Sequence, residues 1–90
     1  MTERLLGFSL VPNVIPKTPP YIDSVRTDSP SGIAGLRHDD LIIEVNGQMA
    51  TSCREVLDRL AHIDRDANVE MTVQRGSGFV TVKLSLVGKR

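Results

Sequence analysis

The chain has 90 residues, of which 40% are apolar and 24% charged, and its eleven basic and eleven acidic side chains give a formal net charge of zero. This length accommodates one small domain, because a second hydrophobic core requires roughly another hundred residues. A balanced charge creates no field that attracts nucleic acid or an anionic membrane, so neither is expected as a partner. No apolar run approaches the ~20 residues of a membrane span, so no membrane insertion is expected. A single cysteine, Cys53, excludes an internal disulfide and a cysteine-based metal site.

The first quarter of the chain is predicted to form two strands joined by an extended loop. Leu6–Val11 is apolar and compatible with a strand, and it ends at Pro12. Four prolines in the nine residues 12–20 predict an extended connection. Strand character resumes over Tyr21–Val25.

A short helix and a central strand are predicted next. Thr27-Asp28-Ser29-Pro30 supplies a capping residue followed by proline at a first helical position, so one helical turn is expected over Pro30–Ala34. Gly35 is expected to be its left-handed C-terminal residue. Leu41–Val45 is rich in β-branched residues and predicts a strand, and Asn46-Gly47 predicts a type I′ turn after it.

The second half of the chain is predicted to form the main helix and a β-hairpin. Ser52 and Glu55 fit a capping box, in which the serine oxygen accepts the amide of Glu55 and the glutamate reaches back to the serine amide. The helix is therefore expected over about residues 53–62. Alternating apolar and polar residues over 69–74 and 80–86 predict an antiparallel hairpin with one buried face. Five or six short strands with two helices make a small α+β barrel or sandwich.

Four stretches resemble a PDZ domain in the order and spacing of that family. They are LLGF at residues 5–8 in place of its Gly-Leu-Gly-Phe loop, SPSGIAGL at the short helix, DDLIIEVNG at the central strand and turn, and SCREVLDRL at the long helix. The chain, 1–90, is therefore interpreted as a single PDZ-like domain with a core over 5–86. The resemblance implies a partly open antiparallel β-barrel or sandwich of five to six strands, with one short and one long helix.

A subtype also follows from the resemblance. The four residues before LLGF leave no room for the first strand that is usual in animal PDZ domains, whereas FVTVKLSLVG near the C-terminus is long enough to take that position. This permuted arrangement is similar to the PDZ domains of bacterial HtrA-type serine proteases and related processing proteins.

The resemblance implies a binding site for the C-terminus of a peptide. In the family, consecutive backbone N–H groups of the loop bind the terminal carboxylate, and the peptide pairs with the strand that follows. The implied residues are Leu5, Leu6, Gly7 and Phe8 in the carboxylate-binding loop, Ser9, Leu10 and Val11 in the pairing strand, and Cys53, Leu57 and Leu60 on the groove helix.

Within this site, Leu6, Gly7 and Phe8 are the implied N–H donors. Glycine at position 7 removes a Cβ that would crowd the carboxylate and allows backbone angles forbidden to other residues, although Gly7 alone is equally consistent with a plain β-bulge. The pocket for the last ligand side chain is expected to be lined by Leu6, Phe8, Leu57 and Leu60. Cys53 stands where animal members commonly have histidine. Because a thiol is a weak donor, an apolar ligand residue is expected there as well as at the terminus.

These expectations describe a module that recognises apolar C-terminal tails, without catalytic residues, metal or cofactor. It is expected to be the substrate-recognition or regulatory domain of a bacterial serine protease of the periplasm or cell envelope, with the parent's protease domain as a further partner. One alternative is a structural assembly module whose groove is filled by its own parent protein or a neighbouring subunit.

A thiol enzyme is the third interpretation. Cys53 with His38 or His62 is the only cysteine–histidine combination, but Cys53 is more readily explained as a small apolar group and His62 as a partner of its own helix carbonyls. Asp39 and Asp40 are interpreted as turn-forming residues, because no EF-hand or histidine-rich spacing accompanies them.

Overall fold

A computed structural model describes residues 2–12, 17–64 and 66–85. The described chain contains α1 (Glu3–Leu6), β1 (Phe8–Leu10), β2 (Ile22–Val25), α2 (Pro30–Ala34), β3 (Leu41–Val45), β4 (Gln48–Met49), α3 (Cys53–Ala61), β5 (Val69–Arg75) and β6 (Gly78–Leu84). The strands form two antiparallel sheets, β1 with β2 and a four-stranded sheet in the order β4-β3-β5-β6, which confirms the predicted α+β class. Residues 13–16 of the predicted extended loop and Leu86 of the predicted core lie outside the described residues.

Two local predictions in the middle of the chain are confirmed. Ser29 caps α2, where its Oγ accepts the amide of Gly32 at 3.1 Å, and Gly35 ends this helix at φ 99°. Asn46 and Gly47 adopt φ values of 50° and 82°. Two consecutive left-handed residues are the signature of a type I′ turn, which here joins β3 to the short strand β4.

The start of α3 is also confirmed, with a change in its capping contacts. The Oγ of Ser52 accepts the amide of Glu55 at 3.1 Å, as a capping box requires. The Glu55 carboxylate, however, accepts the amide and the hydroxyl of Thr51 at 2.8 and 3.1 Å, one residue before the expected serine amide. These hydrogen bonds lower the pKa of Glu55 below its ordinary value and attach the preceding chain to the first turn of α3.

The prediction for the N-terminal residues was wrong in one respect. The predicted strand Leu6–Val11 is shorter, because Glu3–Leu6 form the one-turn helix α1 and Gly7 is its C-cap. The described chain therefore has three helices where two were expected. The physical reason is a cap at each end of α1: the Thr2 Oγ1 accepts the amide of Leu5 at 3.2 Å, and the left-handed glycine stops the helix.

The hydrophobic core of the described residues lies between the four-stranded sheet, α3 and the start of β1. Every second residue of β5 points inward, as do the alternate residues near the end of β6, which confirms a hairpin with one buried face. The buried cluster consists of Leu6, Phe8, Ile22, Leu36, Ile42, Val45, Ala50, Val56, Leu60, Val69, Met71, Val73, Val82 and Leu84. Burial of each large aliphatic side chain contributes roughly 1.5–3 kcal/mol before the loss of chain entropy is counted.

A buried ion pair joins the hairpin to the loop before β3. The carboxylate of the buried Asp40 accepts Arg75 Nε at 2.9 Å, Arg75 Nη2 at 2.7 Å and the amide of Arg37 at 2.9 Å. Arg75 Nη2 also donates to the carbonyl of Gly35 at 2.9 Å, so one guanidinium holds the end of α2 and the start of β3. Burial acts to raise the pKa of Asp40, but the hydrogen bonds and charge of Arg75, with the amide and charge of Arg37, outweigh it and hold the pKa below its ordinary value.

Replacement of Asp40 by asparagine is expected to lower the free energy of unfolding by about 2–3 kcal/mol, because a partly buried guanidinium loses its counter-charge. Asp39→Asn is the matched control. Asp39 is exposed, its φ of 73° suits asparagine, and we expect a change below about 0.5 kcal/mol. Urea unfolding near neutral pH measures both variants, and equal losses would contradict a structural role for the Asp40–Arg75 pair.

The same variants test the pH dependence that the ion pair implies. Because the pKa of Asp40 is lower in the folded than in the unfolded chain, its stabilising contribution is complete above the ordinary value of about 3.8 and is lost as the pH falls through the folded-state pKa. The difference in free energy of unfolding between the wild type and Asp40→Asn should therefore be constant from about pH 5 to 8 and shrink below about pH 4. A difference that persists in acid would contradict this assignment.

Candidate functional site

The LLGF segment is divided between a helix and a strand. Residues 5–6 form the end of α1, Gly7 has a φ of 94° and ends this helix, and Phe8 begins β1. The register shift in β1 lies further on, between Ser9 and Leu10. Gly7 is therefore a left-handed helix cap and not a β-bulge.

Two of the three amides that the resemblance assigns to a carboxylate are used inside α1. The amide of Leu6 donates to the carbonyl of Thr2 at 3.2 Å, and the amide of Gly7 donates to the carbonyl of Glu3 at 2.9 Å. The amide of Phe8 lies beyond the helix, in β1. The structure thus has one of the implied donors outside α1 and two within it.

Two physical constraints require glycine at position 7. Its left-handed backbone is unfavourable for residues with a Cβ, and a Cβ built here would overlap the side chain of Ser29. Ser29 is itself fixed, because its Oγ donates to the carbonyl of Arg26 at 2.6 Å and accepts the amide of Gly32 as the cap of α2. The backbone angle agrees with the prediction, but in this structure the crowding comes from Ser29.

One edge of β1 pairs with β2, and no strand in the described ranges 2–12, 17–64 and 66–85 pairs with the other edge. The carbonyl of Gly7 and the amide of Val11 bond to the β2 side at 2.8 and 3.0 Å. Because backbone groups alternate in direction along a strand, the N–H and C=O groups of Phe8 and Leu10 point away from β2. These are the groups with which an added strand would pair.

The four side chains predicted to line the ligand pocket differ in accessibility. Leu6, Phe8 and Leu60 have exposures of 0%, 3% and 0% and belong to the core. Leu57, on α3, is 36% exposed. Of these four predicted residues, Leu57 is therefore the one that presents apolar surface to solvent, and the side chains of the other three are covered by the core.

The remaining predicted residues of α1 and β1, and Val11 just after β1, lie nearer the surface. Leu5 is exposed, and Ser9, Leu10 and Val11 are half-buried. The hydroxyls of Ser9 and Ser24 form a hydrogen bond of 2.7 Å across β1 and β2. This bond links the side chains of β1 and β2.

Cys53, the first residue of α3, lies against the chain that follows β1 and against the end of the loop before β2. It is 1% exposed, and its Sγ lies 3.5 Å from the carbonyl oxygen of Pro19 and 3.8 Å from that of Val11. Its amide donates to the carbonyl of Thr18 at 2.8 Å. Burial raises the pKa of the thiol by more than the Cys53 amide lowers it, so the thiol is protonated near neutral pH. A buried, protonated thiol is a packing group and a poor nucleophile.

Both histidines contact nearby backbone carbonyls. Nδ1 of His62 lies 2.8 Å from the carbonyl oxygen of Asp58, which confirms its expected contact with its own helix. Nδ1 of His38 lies 2.6 Å from the carbonyl oxygen of Asp23, and Nε2 lies 3.2 Å from the carboxylate of Asp39. Among the described residues, no group of three or more His, Cys, Asp or Glu side chains is arranged to hold a metal ion. No helix within the same residues has the length and apolar character needed to span a membrane.

Among the cavities that the described residues form, two lie away from β1 and α3. The larger, of about 410 Å³, lies between α2 and β6 and is lined by Asp28, Pro30, Ile33, Ala34, Lys83 and Ser85. The smaller, of about 210 Å³, is lined by Pro19, Pro20, Leu41, Ile42, Ile43, Met49, Ala50 and Thr51. Neither lining includes a residue of β1 or α3, and neither cavity was predicted.

The pattern that defines the PDZ domain family matches residues 21–75, more than half of the chain. Over 65 residues, the chain is 31% identical to the serine protease HTRA1 of Xenopus laevis and 29% identical to the serine endoprotease DegS of Salmonella typhimurium. Each alignment covers 72% of this chain but 14% and 18% of the two relatives. The chain therefore spans less than a fifth of the length of these relatives.

Two solved structures share the fold. The HtrA3 PDZ domain bound to a phage-derived ligand, FGRWV, has a TM-score of 0.71 and 19% identity, over 89% of this chain and 81% of that one. The serine endoprotease from Yersinia pestis has a TM-score of 0.66 and 21% identity, over 90% of this chain and 29% of that one. The predicted PDZ-like α+β fold is thereby confirmed.

Replacement of Gly7 by alanine is expected to lower the free energy of unfolding by about 3 kcal/mol. The left-handed backbone contributes ~1–2 kcal/mol of this loss, and overlap of the new Cβ with Ser29 contributes ~1–3 kcal/mol. Gly35→Ala is the matched control, because Gly35 also ends a helix, at φ 99°, and its Cβ would enter open space. It should lose only the backbone contribution. Chemical denaturation compares the two variants, and equal losses would show that Ser29 imposes no constraint.

Cys53 is expected to react with a thiol reagent such as DTNB roughly 100-fold more slowly in the folded protein than in denaturant. The rate should rise steeply only above about pH 9.0, the ordinary thiol value, because burial raises the pKa of Cys53. The control is Cys53→Ser combined with Arg54→Cys, which places the thiol at the next, exposed position of the same helical turn. Equally fast labelling of both thiols at neutral pH would contradict the burial of Cys53.

Proposed function

The chain belongs to the PDZ domain family, and from this premise we propose that it binds apolar C-terminal tails of proteins by adding them as a strand to β1. PDZ domains are non-catalytic binding modules, so this region is a binding module and not an enzyme. The observation that carries the proposal is the edge of β1 that no described strand covers. This edge ends close to α3, because the carbonyl oxygen of Val11, just after β1, lies 3.8 Å from the Sγ of Cys53.

Strand addition uses the main chain of β1. Phe8 and Leu10 offer two N–H and two C=O groups away from β2, and each hydrogen bond to a ligand contributes about 0.5–1.5 kcal/mol net. A ligand whose carboxylate lies at the start of β1, near Gly7, runs antiparallel to β1. Alternate ligand side chains then point toward α3.

Ligand selectivity is proposed to come from apolar contacts with α3. Leu57 is the exposed large apolar residue on that helix. The buried thiol of Cys53 faces backbone carbonyls, so it leaves no strong donor for a ligand hydroxyl. The ligand of the HtrA3 PDZ domain, FGRWV, ends in valine, which supports an apolar last residue. An apolar residue is also expected two positions before the end, where FGRWV has arginine, so FGRWV supports the preference at the last position alone.

The proposed role in a longer protein follows from the relatives. HTRA1 and DegS are serine proteases, and the chain matches less than a fifth of either. We therefore extend the proposal to a substrate-recognition or regulatory domain of a bacterial serine protease in the periplasm or cell envelope. The protease domain of the parent is a further partner under this proposal.

A structural assembly module remains the alternative, and one observation favours it. Leu6 and Phe8 are buried in the core, so the pocket for a ligand side chain is closed in this structure. A groove reserved for a segment of the parent protein or for a neighbouring subunit need not open to free peptides. The molecular mass measured for such a module in solution rises with protein concentration, because its copies associate.

The pentapeptide FGRWV with a free carboxylate is expected to bind with a Kd on the order of micromolar, because the apolar burial of a short peptide is largely offset by its ordering. Its C-terminal amide should bind at least about tenfold more weakly, since it loses charge-assisted hydrogen bonds. Leu57→Ala should weaken binding severalfold with little loss of stability. Ile33→Ala, at a 65% exposed apolar position on α2, is the matched control.

N-methylation of single ligand amides tests strand addition directly. Only alternate amides should be sensitive, because alternate residues of an added strand face β1. Equal binding of acid and amide, or indifference to every N-methyl group, would contradict the proposal. A mass that rises with concentration, with no binding of free peptide, would establish the assembly alternative.

A further inference from the structure

We propose that α1 is an autoinhibitory element that competes with the carboxylate of a ligand for the amides of Leu6 and Gly7. The inference rests on the proposed function, because it concerns the same carboxylate site. In the structure these amides donate to the carbonyls of Thr2 and Glu3, at 3.2 and 2.9 Å. A ligand therefore reaches all three implied donors only after the last turn of α1 opens.

When a ligand binds, the amides of Leu6 and Gly7 exchange one acceptor for another, from a backbone carbonyl to the ligand carboxylate. A terminal carboxylate carries two acceptor oxygens and a charge, and its hydrogen bonds are roughly twice as strong as those to a neutral carbonyl. When the amides turn to the ligand, the carbonyls of Thr2 and Glu3 are released. Thr2 is exposed and Glu3 is half-exposed, so water can hydrate both carbonyls.

The burial pattern of α1 favours local opening. A single helical turn is marginal by itself in water. Of the four residues of α1, Leu6 is the one that is buried, while Arg4 and Leu5 are exposed. The Leu6 side chain can stay in the core while the backbone turn opens, so little apolar burial is lost.

The start of β1 is held independently of α1. The carbonyl of Gly7 accepts the amide of Arg26 at 2.8 Å, and the side chain of Ser29 packs against Gly7. Both contacts lie on the side of β2 and α2. Opening of α1 therefore frees two amides while the strand edge that a ligand pairs with remains in place.

The competition has a quantitative consequence. If only the open form offers all donors, the apparent Kd is the intrinsic Kd divided by the open fraction. A substitution that weakens α1 should therefore strengthen binding, and one that stabilises α1 should weaken it. A merely structural role for α1 predicts neither relation.

Thr2→Ala tests the first direction. It removes the Oγ1 that accepts the amide of Leu5 at 3.2 Å, and so weakens the N-terminal cap of α1. The Kd for FGRWV with a free carboxylate is expected to fall roughly two- to tenfold. Thr2→Ser, which keeps the capping oxygen, should stay within about twofold of the wild type.

Glu3→Pro tests the opposite direction. Proline suits the first position of a helix, and the preceding residue, Thr2, already has the extended conformation that proline requires, with φ −132° and ψ 159°. Glu3→Ala is the matched control, because it removes the same negative charge without fixing the backbone. The Kd for Glu3→Pro is expected to be roughly two- to fivefold higher than for Glu3→Ala.

The second measurement is amide hydrogen exchange at Gly7 in the unliganded protein. Exchange is expected to be faster in Thr2→Ala than in Thr2→Ser, because the cap of α1 is weaker. It is expected to be slower in Glu3→Pro than in Glu3→Ala. If the wild type binds the free acid and the Kd is the same in all four variants, the role of α1 is overturned and the proposed function stands. If neither the wild type nor Thr2→Ala binds, both are overturned. Binding by Thr2→Ala alone would support both.

Discussion

The turn at Gly7 is the constraint on which the candidate site depends. Its left-handed backbone ends α1 and begins β1 within one residue. On one side its carbonyl accepts the amide of Arg26, and Ser29 occupies the space that a Cβ would need. These contacts hold the start of β1 against β2 and the cap of α2, so the opposite edge of the strand is left for pairing. Any residue with a side chain at this position displaces β1 or α2, and the strand edge moves with it.

Signals that act within a few residues predicted most of the fold. Ser29-Pro30 and Gly35 bounded α2, and Asn46-Gly47 gave the turn between β3 and β4, because caps and tight turns depend on nearby hydrogen bonds and on left-handed residues. α1 was missed although Thr2 and Gly7 are its caps. One helical turn contains too few residues for a 3.6-residue period to be distinguished from the apolar run that follows it.

Contacts between distant residues account for what the sequence did not predict. Asp40 was assigned to a turn, but its charge is balanced by Arg75, 35 residues away. The contact of the Cys53 thiol with the carbonyl of Pro19, 34 residues away, was also not predicted. The burial of Phe8 likewise depends on packing that no local pattern determines. Resemblance to a family implies which positions face a ligand, but it does not predict hydrogen bonds that the chain itself makes at those positions.

The hydrogen bonds that the Leu6 and Gly7 amides make within α1 are compatible with the proposed peptide binding because they are weak. A hydrogen bond between neutral groups contributes about 0.5–1.5 kcal/mol net, whereas one to a charged group contributes about 1.5–3 kcal/mol. A carboxylate that replaces the carbonyls as the acceptor of the Leu6 and Gly7 amides therefore gains free energy. It gains less than a carboxylate that binds a loop whose amides are free. A PDZ domain built in this way loses affinity without losing the requirement for a free carboxylate, since only a charged acceptor gains enough to open α1.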